Sequence, residues 1–294
     1  YSLPSKSILM KNNGNKVSHT INPDTLKSIN NNTLSVTVVH ETSATYADAL
    51  ATAFNVMGSD RAIRISNKYN IAIKRRIRNE PVAYIIGKKE FWSEDFIVNK
   101  STLVPRPETE LLIYKIINFY KKKKINILDI GTGSGCILIT LLKKLGKARG
   151  IGIDISSKAI KTAKINANNF ELKNRADFKV FDIGKFIIGK YDLIVSNPPY
   201  IPSKDIKNLS EDITSFEPHN ALDGGYDGLD LIKKVIYKSN QLIKKNGMLA
   251  IEIGNKQYQK VSSILKLQGY REMSKEYDYK RNVRCIISTK VKFL

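Results

Sequence analysis

The chain is poor in the residues that build metal centres and disulfide frameworks. Its 294 residues include only two cysteines, Cys136 and Cys285, and three histidines, His19, His40 and His219, all far apart. That excludes a disulfide scaffold and the multi-cysteine zinc patterns, and no His-x-x-x-His pair offers two ligands on one helical turn. Each histidine reads as a loop or satisfied core residue. Cys136 falls at a helix start, where a thiolate would be favoured, yet a small residue filling space is the better reading. Acidic residues are also scarce, 27 against 49 Lys and Arg, for a formal net charge of +22. An acidic partner such as nucleic acid or a ribonucleoprotein fits that excess, although lysines also crowd faces that carry no motif. Long apolar runs are missing too. No segment approaches the ~20 residues that span a bilayer, and no basic-then-apolar opening resembles a secretion signal, so no membrane contact and a cytoplasmic location are expected.

What is present suffices for a folded protein: 42% hydrophobic residues can fill one core of ordinary size and a smaller one. Residues 1–70 differ in texture, being Asn-rich, with a strand-like Leu34–Val39 and a helix-like Tyr46–Met57 ending at Gly58. Residues 71–107 read as a linker: a basic helix tail over 71–79 with Lys74, Arg75, Arg76 and Arg78, a hairpin over Pro81–Phe96 with Gly87 near its turn, then an irregular connector. Residues 108–294 form the main domain. There a helix over Glu108–Tyr120 starts behind Pro107, and strands and helices then alternate. Strands are expected at Ile125–Ile130, Ala148–Ile153, Phe178–Phe181, Leu193–Val195, Gly247–Ile253 and Val283–Thr289. Helices are expected at Cys136–Leu145, Ser157–Asn168 (capped by Ser156 or Ser157), Leu229–Lys244 and Tyr258–Leu267. Such alternation means an α/β fold with a largely parallel, doubly wound sheet, whose ligands bind beyond the carboxyl ends of the strands.

Two motifs fall at strand ends. Gly131-Thr132-Gly133-Ser134-Gly135 follows a strand and opens a helix, which lets the backbone turn tightly and aim N–H groups at a ligand. Its spacing is not that of the dinucleotide fingerprint. Asp154 ends the next strand, where a carboxylate can accept both ribose hydroxyls, against the plainer reading of a helix N-cap. Asp182 follows the third strand and would meet an adenine amine with Ile183 packing on the ring; its plainer reading is a turn residue. Asn197-Pro198-Pro199-Tyr200 completes the set. A planar nitrogen has its lone pair delocalised and is a poor nucleophile until its N–H groups are held. The Asn197 side-chain carbonyl and the Pro198 backbone carbonyl can accept those hydrogens, and Tyr200 offers a flat wall. In this order the features favour S-adenosylmethionine over NAD, with the nitrogen placed for in-line attack on the methyl carbon and its proton released to water.

The chain over residues 71–294 resembles the protein-(glutamine-N5) methyltransferases of peptide chain release factors. The resemblance rests on the stretch from Arg75 to Trp92, on Leu103-Val-Pro-Arg-Pro-Glu-Thr-Glu110, the glycine loop, Asn197-Pro-Pro-Tyr-Ile-Pro202, Phe216-Glu-Pro218 with Gly228-Leu229, and Ile251-Glu-Ile-Gly254. It implies a Rossmann-like methyltransferase fold, release factors as partners and the glutamine of their Gly-Gly-Gln loop as substrate. By the same resemblance Asn197, Pro198, Pro199 and Tyr200 hold the substrate, and Gly131 to Gly135, Asp154, Ile183 and Asn197 contact the cofactor. The basic surface is expected to make a transient ribosome or RNA contact. Two departures stand out. The family tail carries a glycine before an arginine where this chain reads Asp278-Tyr-Lys-Arg-Asn-Val-Arg284, so the turn there is expected to differ. The family's helical front domain is also reduced to its last helix, near Ile71–Asn79.

In its place residues 16–65 resemble the C-terminal part of FAD:protein FMN transferases, through Val17-Ser-His-Thr-Ile-Asn-Pro23, Leu34–Val38 and Ala47–Gly58. That resemblance implies a vestigial magnesium pair at Asp48 and Thr52, four apart on one helical face. Most of the flavin pocket is missing, so the segment reads as a fusion remnant and no functional metal is expected. Three rival functions remain: methylation of adenine N6 or cytosine N4 in a flipped base, a non-catalytic ribosome- or RNA-binding fusion, and flavin transfer.

Overall fold

The computed structural model describes residues 79–291 without a break, and before them residues 10–12, 15–17 and scattered positions between 53 and 65. The chain divides into two compact units, Tyr1–Ile86 and Gly87–Leu294. In the first, strands β1 (Met10–Asn12) and β2 (Asn15–Val17) pair antiparallel, Phe54 and Ala62 are buried, and a short helix α1 spans Val82–Ile86. The expected strand at 34–39, most of the helix expected over 46–57, the basic tail over 71–78, and Asp48 with Thr52 lie outside the described residues.

The second unit opens with a hairpin, β3 (Lys88–Phe91) and β4 (Glu94–Ile97), whose two-residue turn is Trp92-Ser93. This corrects the hairpin expected over 81–96. The backbone between Pro81 and Ile86 is helical instead, with Tyr84 and Ile85 N–H groups bonded to the Pro81 carbonyl. Both turn residues have positive φ, 54° and 59°, the left-handed pair that matches strand twist in tight hairpins and is usually given to Asn-Gly. Gly87, expected near the turn, instead precedes β3, and the turn itself contains no glycine. Inward from the turn, Phe91 and Phe96 are fully buried, and Phe96 packs on Phe170 at 5.0 Å.

Helix α2 (Pro107–Tyr120) follows, with Pro107 in its first turn and Glu108 and Glu110 facing the positive end of its dipole. The remaining elements are β5 (Asn126–Ile130), α3 (Cys136–Lys144), β6 (Arg149–Asp154), α4 (Ser157–Asn169), β7 (Ala176–Val180), β8 (Tyr191–Ser196) and a single turn α5 (Glu211–Thr214). They close with α6 (Asp230–Leu242), β9 (Ile243–Glu252), α7 (Tyr258–Leu267), β10 (Tyr270–Tyr277) and β11 (Val283–Lys290). The seven-stranded sheet runs β10-β11-β9-β8-β5-β6-β7, parallel from β7 to β9 and antiparallel at β11 and β10. The expected doubly wound α/β architecture is present. Strand β10 was not foreseen, because Arg271, Glu272 and Met273 are exposed on an edge and carry no apolar alternation.

Period-two alternation divides the sheet between two cores. Ile127, Leu193, Val195, Ala250 and Ile287 face α2, α3, α4 and the hairpin; Leu128, Ile194, Leu249, Ile251 and Ile286 face α6 and α7. Helix α3 is buried from Cys136 to Leu142, so its sequence is apolar almost all round. One polar side chain fastens the hairpin to this body. Asn166, fully buried on α4, accepts from Ile97 N (2.8 Å) and donates to Ile97 O (3.0 Å) and Ser134 O (2.9 Å), tying β4 to the glycine loop.

Replacing Asn166 with Ala strands those buried backbone groups. At about 1–3 kcal/mol for each unpaired group, urea denaturation of Asn166→Ala is expected to show a loss of about 3 kcal/mol or more; a loss within about 0.5 kcal/mol, the scale of an ordinary surface change, would remove Asn166 as the fastener.

Candidate active site

The chain enters the sheet at its centre, runs outward through β6 and β7 and returns to β8 on the other side of β5. Ile130 is paired with Ser196 across that central pair, so the glycine loop and the Asn197 motif leave the sheet side by side at its carboxyl edge. Between them lies a cavity of about 270 Å³ lined by Gly131, Thr132, Gly133, Ser134, Asp154, Asp182, Ile183, Asn197, Pro198 and Pro199. Two of the sequence-predicted site residues do not border it. Gly135 lies beneath the loop, where a Cβ would approach Ile139, Ala163 and Phe178 to 3.0–3.3 Å, so its smallness serves helix-on-sheet packing. Tyr200 lies below the motif, in the network described next but one.

Gly131 and Gly133 have φ of 71° and 55°, and a Cβ on either would meet nothing within 4 Å: they need glycine for backbone shape, and they leave space open. Asp154 accepts from Gly133 N at 3.0 Å and Ser156 N at 2.9 Å, and burial pushes its carboxyl up. The N-cap of α4 is Ser156, which accepts from Ala159 N at 3.2 Å, so Asp154 is not that cap. Asp182 does cap the turn Ile183–Lys185. Its Oδ1 accepts from both Gly184 N and Lys234 Nζ at 2.7 Å; those bonds lower its carboxyl and leave Oδ2 for another donor. Beneath the loop, Asp129 is wholly buried, accepts from Thr132 Oγ1 at 2.6 Å and is pushed up to about 7 by desolvation. Its Oδ1 has no partner among the described residues. The signal for it was a lone carboxylate inside the apolar run Ile127-Leu128-Asp129-Ile130.

Asn197 anchors a buried chain of polar groups. Its Nδ2 donates to Thr109 Oγ1 (3.1 Å), which donates to Glu252 Oε2 (2.6 Å); Tyr200 Oη donates to Glu252 Oε1 (3.3 Å) and accepts from Arg284 Nη2 (2.9 Å). Arg284 also lies over the Tyr200 ring, 5.4 Å from its centroid, and 3.8 Å from the Glu252 carboxylate. Burial raises the Glu252 carboxyl, while the Thr109 hydroxyl and the Arg284 cation pull it down. The turn before Arg284 keeps a left-handed residue, Arg281 at φ 61°, and Asp278 accepts from Lys280 N and Asn282 N at 2.9 Å. Gln257 locks the other side, donating to Tyr200 O and Gly228 O and accepting from Gly254 N. A Cβ on Gly228 would come within 2.4 Å of Tyr200 O, which is why that loop needs glycine.

Three side chains of the segment 105–110 hold the surroundings of the site. Arg106 pairs with the buried Glu217 across the cavity rim, Thr109 supports Asn197, and Glu110 accepts from Trp92 N in the hairpin turn at 2.7 Å. Thr109, Glu252 and Arg284 lie in stretches that were compared with the family but were given no role, and Gln257 was not singled out at all, since nothing local in the sequence pairs any of them with Asn197. Cys136 is buried and its thiol is pushed up to about 12, which suits the space-filling reading. A second cavity, about 430 Å³, opens at the amino ends of β5 to β8 beside Arg149, Lys173, Arg175 and Lys190. Two of its cations are committed: Arg175 to the carbonyls of Leu142, Leu145, Gly146 and Ala148, and Lys190 to that of Gln241. It is also at the wrong edge for a ligand site in a doubly wound sheet. Among the described residues no cluster of potential metal ligands occurs, and no helix is long and apolar enough to cross a membrane.

Comparison with known proteins gives residues 121–291 as a match to a methyltransferase domain family and residues 6–74 as a match to the ApbE family. The chain is 41% identical over 216 residues to the release factor glutamine methyltransferase of Rhodospirillum rubrum, a match covering 74% of this chain and 66% of that one. The corresponding proteins of Buchnera aphidicola subsp. Schizaphis graminum (43%, covering 76% and 80%) and Caulobacter vibrioides (38%, covering 75% and 77%) are similar over more of their length. Among solved structures, a methyltransferase from Pyrococcus furiosus superposes with a TM-score of 0.50 at 15% identity, covering 76% of this chain and 98% of that one, a likeness of fold alone.

Asp129 yields a pH prediction. Its carboxyl titrates near 7 in the fold against 3.8 in the open chain, so the folded state holds the extra proton and stability falls as pH rises between those values. The melting temperature of Asp129→Asn is therefore expected to gain on that of the unaltered protein from about pH 4 to pH 7 and to keep its lead above; a difference that is flat across this range would count against a buried, proton-holding Asp129.

Proposed function

This chain belongs to the release factor glutamine methyltransferases, and on that footing we propose that it transfers a methyl group from S-adenosylmethionine to the side-chain nitrogen N5 of the glutamine in a release factor's Gly-Gly-Gln loop. The observation that carries the reading is the Asn197 amide. Its nitrogen is spent on Thr109, which turns its carbonyl oxygen toward the cavity beside the glycine loop, as an acceptor for the hydrogens of a planar nitrogen.

The residues present fit the cofactor. Gly131 and Gly133 leave their Cβ positions open, the Asp154 carboxylate is fixed by backbone N–H groups and keeps lone pairs for a vicinal diol, and Asp182 Oδ2 is available to an amine. When bound, S-adenosylmethionine supplies a methyl group on a sulfonium leaving group, with no metal required. The protein's task is then placement. Asn197 Oδ1 and the Pro198 carbonyl receive the two hydrogens of the substrate amide and aim its lone pair along the line of displacement. The same two carbonyls stabilise the positive charge that develops on nitrogen as the bond to carbon forms, before the proton passes to water. Pro199 stiffens the backbone, and Tyr200 acts from below by holding Glu252.

A cytoplasmic reaction is part of this proposal. The net charge of +22 supports a transient ribosome or RNA contact. The ApbE-like front segment is assigned no activity.

Transfer of labelled methyl to a purified release factor, its Gly-Gly-Gln→Gly-Gly-Ala variant and bare DNA tests the proposal: label on the Gln protein alone is the expected result, and label on DNA would move the acceptor to a base amine. Asn197→Ala is expected to lower turnover by about 100-fold or more while cofactor affinity changes by less than about three-fold. Asp154→Ala is expected to weaken cofactor binding by about 10–100-fold, the scale of one or two lost hydrogen bonds to a charged group. Equal loss of both quantities in both variants would sink these roles.

A further inference from the structure

A carboxamide is nearly symmetric in shape, so packing around Asn197 does not decide whether its oxygen or its NH2 faces the cavity. Hydrogen-bond direction decides it, and the chain of groups behind Asn197 has a fixed direction. Arg284 can only donate. Tyr200 Oη therefore accepts from Arg284 Nη2 and, with the Arg284 cation 3.8 Å from Glu252 holding that group as a carboxylate, directs its own proton to Glu252 Oε1. Thr109 directs its proton to Glu252 Oε2, so both carboxylate oxygens receive donors and the group is held as an acceptor on both sides. Thr109 Oγ1 then has only lone pairs left for Asn197, which must present Nδ2 to it and Oδ1 to the cavity.

We infer that Thr109 and Glu252 are positioning residues: together they fix which way round the Asn197 amide stands, and so decide that the site accepts hydrogens from its substrate instead of offering them. This rests on the reading of the acceptor as an amide or amine nitrogen. Neither residue touches the reacting atoms; each acts through Asn197. The cost of this arrangement is a fully buried carboxylate, which a purely structural role would not require.

Glu252→Gln separates the two roles. With Tyr200 still donating, the Gln oxygen faces Tyr200 and its NH2 faces Thr109. The Thr109 hydroxyl then donates outward, and the Asn197 amide turns over to accept it. Every hydrogen bond in the chain is kept, and the two between residue 252 and Asn197 reverse their direction. The full-length protein carrying Glu252→Gln is therefore expected to fold with a melting temperature close to that of the unaltered protein and to bind S-adenosylmethionine within about two-fold. Its kcat for methyl transfer to release factor is expected to fall about 10–100-fold with little change in KM, the scale of one or two charge-assisted hydrogen bonds lost from the transition state. Thr109→Val is expected to lose kcat similarly, and Thr109→Ser, which keeps the hydroxyl, to recover most of the rate. Unchanged kcat in Glu252→Gln, or Thr109→Ser as slow as Thr109→Val, overturns the inference while leaving the functional reading intact. If the unaltered protein transfers no methyl to release factor, the functional reading fails by itself. The Asn197 side-chain 15N–1H signals then still test the relay: they are expected to shift in Glu252→Gln, and identical signals in the two proteins overturn it.

Discussion

The parallel pairing of β5 with β8 is the constraint on which the site depends. These strands are distant in sequence and adjacent in the sheet because the chain begins at the centre, fills one side and then returns to the other. With Ile130 beside Ser196, the glycine loop and the Asn197 motif emerge next to each other. A slip of one residue would turn every side chain of β8 to the opposite face. The two cores resist that slip, since Leu193 and Val195 are buried on one face and Ile194 on the other.

Around this junction the protein concentrates buried charge. Asp129, Glu217 and Glu252 are all buried, and burial raises the carboxyl of each. Such groups lower stability unless hydrogen bonds offset their desolvation. Here each is held by a different device: Asp129 by a hydroxyl from its own loop, Glu217 by Arg106, and Glu252 by Thr109, Tyr200 and Arg284. Asp129 sits beneath the glycine loop, Glu217 pairs with Arg106 of the cavity lining, and Glu252 stands behind Asn197, in an interior where buried apolar side chains far outnumber polar ones. The segment 105–110 touches two of these carboxylates, Glu217 through Arg106 and Glu252 through Thr109, and reaches the hairpin through Glu110.

Local chemistry made much of this legible in the sequence. Period-two runs gave the central strands, the Gly131-x-Gly133-x-Gly135 loop marked where backbone had to turn left-handed, and Asn197-Pro-Pro-Tyr200 marked the end of a strand whose Asn197, Pro198 and Pro199 line the cavity. Helix α7 has the bounds read from its pattern, Tyr258–Leu267. Elements whose form depends on distant partners were misread or missed. The hairpin turn at Trp92-Ser93 has no turn-forming pair and is stabilised by Glu110 from another element. The edge strand β10 is polar because one of its edges has no strand partner in the sheet.

By itself the sequence determined the order of the elements, the alternating faces of the strands and the two motifs, since each follows from residues within a few positions of one another. Tertiary structure alone decided which motif residues face the cavity, that Gly135 and Tyr200 act from beneath it, and that Thr109, Glu252 and Arg284 stand behind Asn197. The physical reason is that hydrogen-bond direction along such a chain is a property of groups 52 to 143 residues apart, fixed only when the sheet closes and brings them within 3.3 Å.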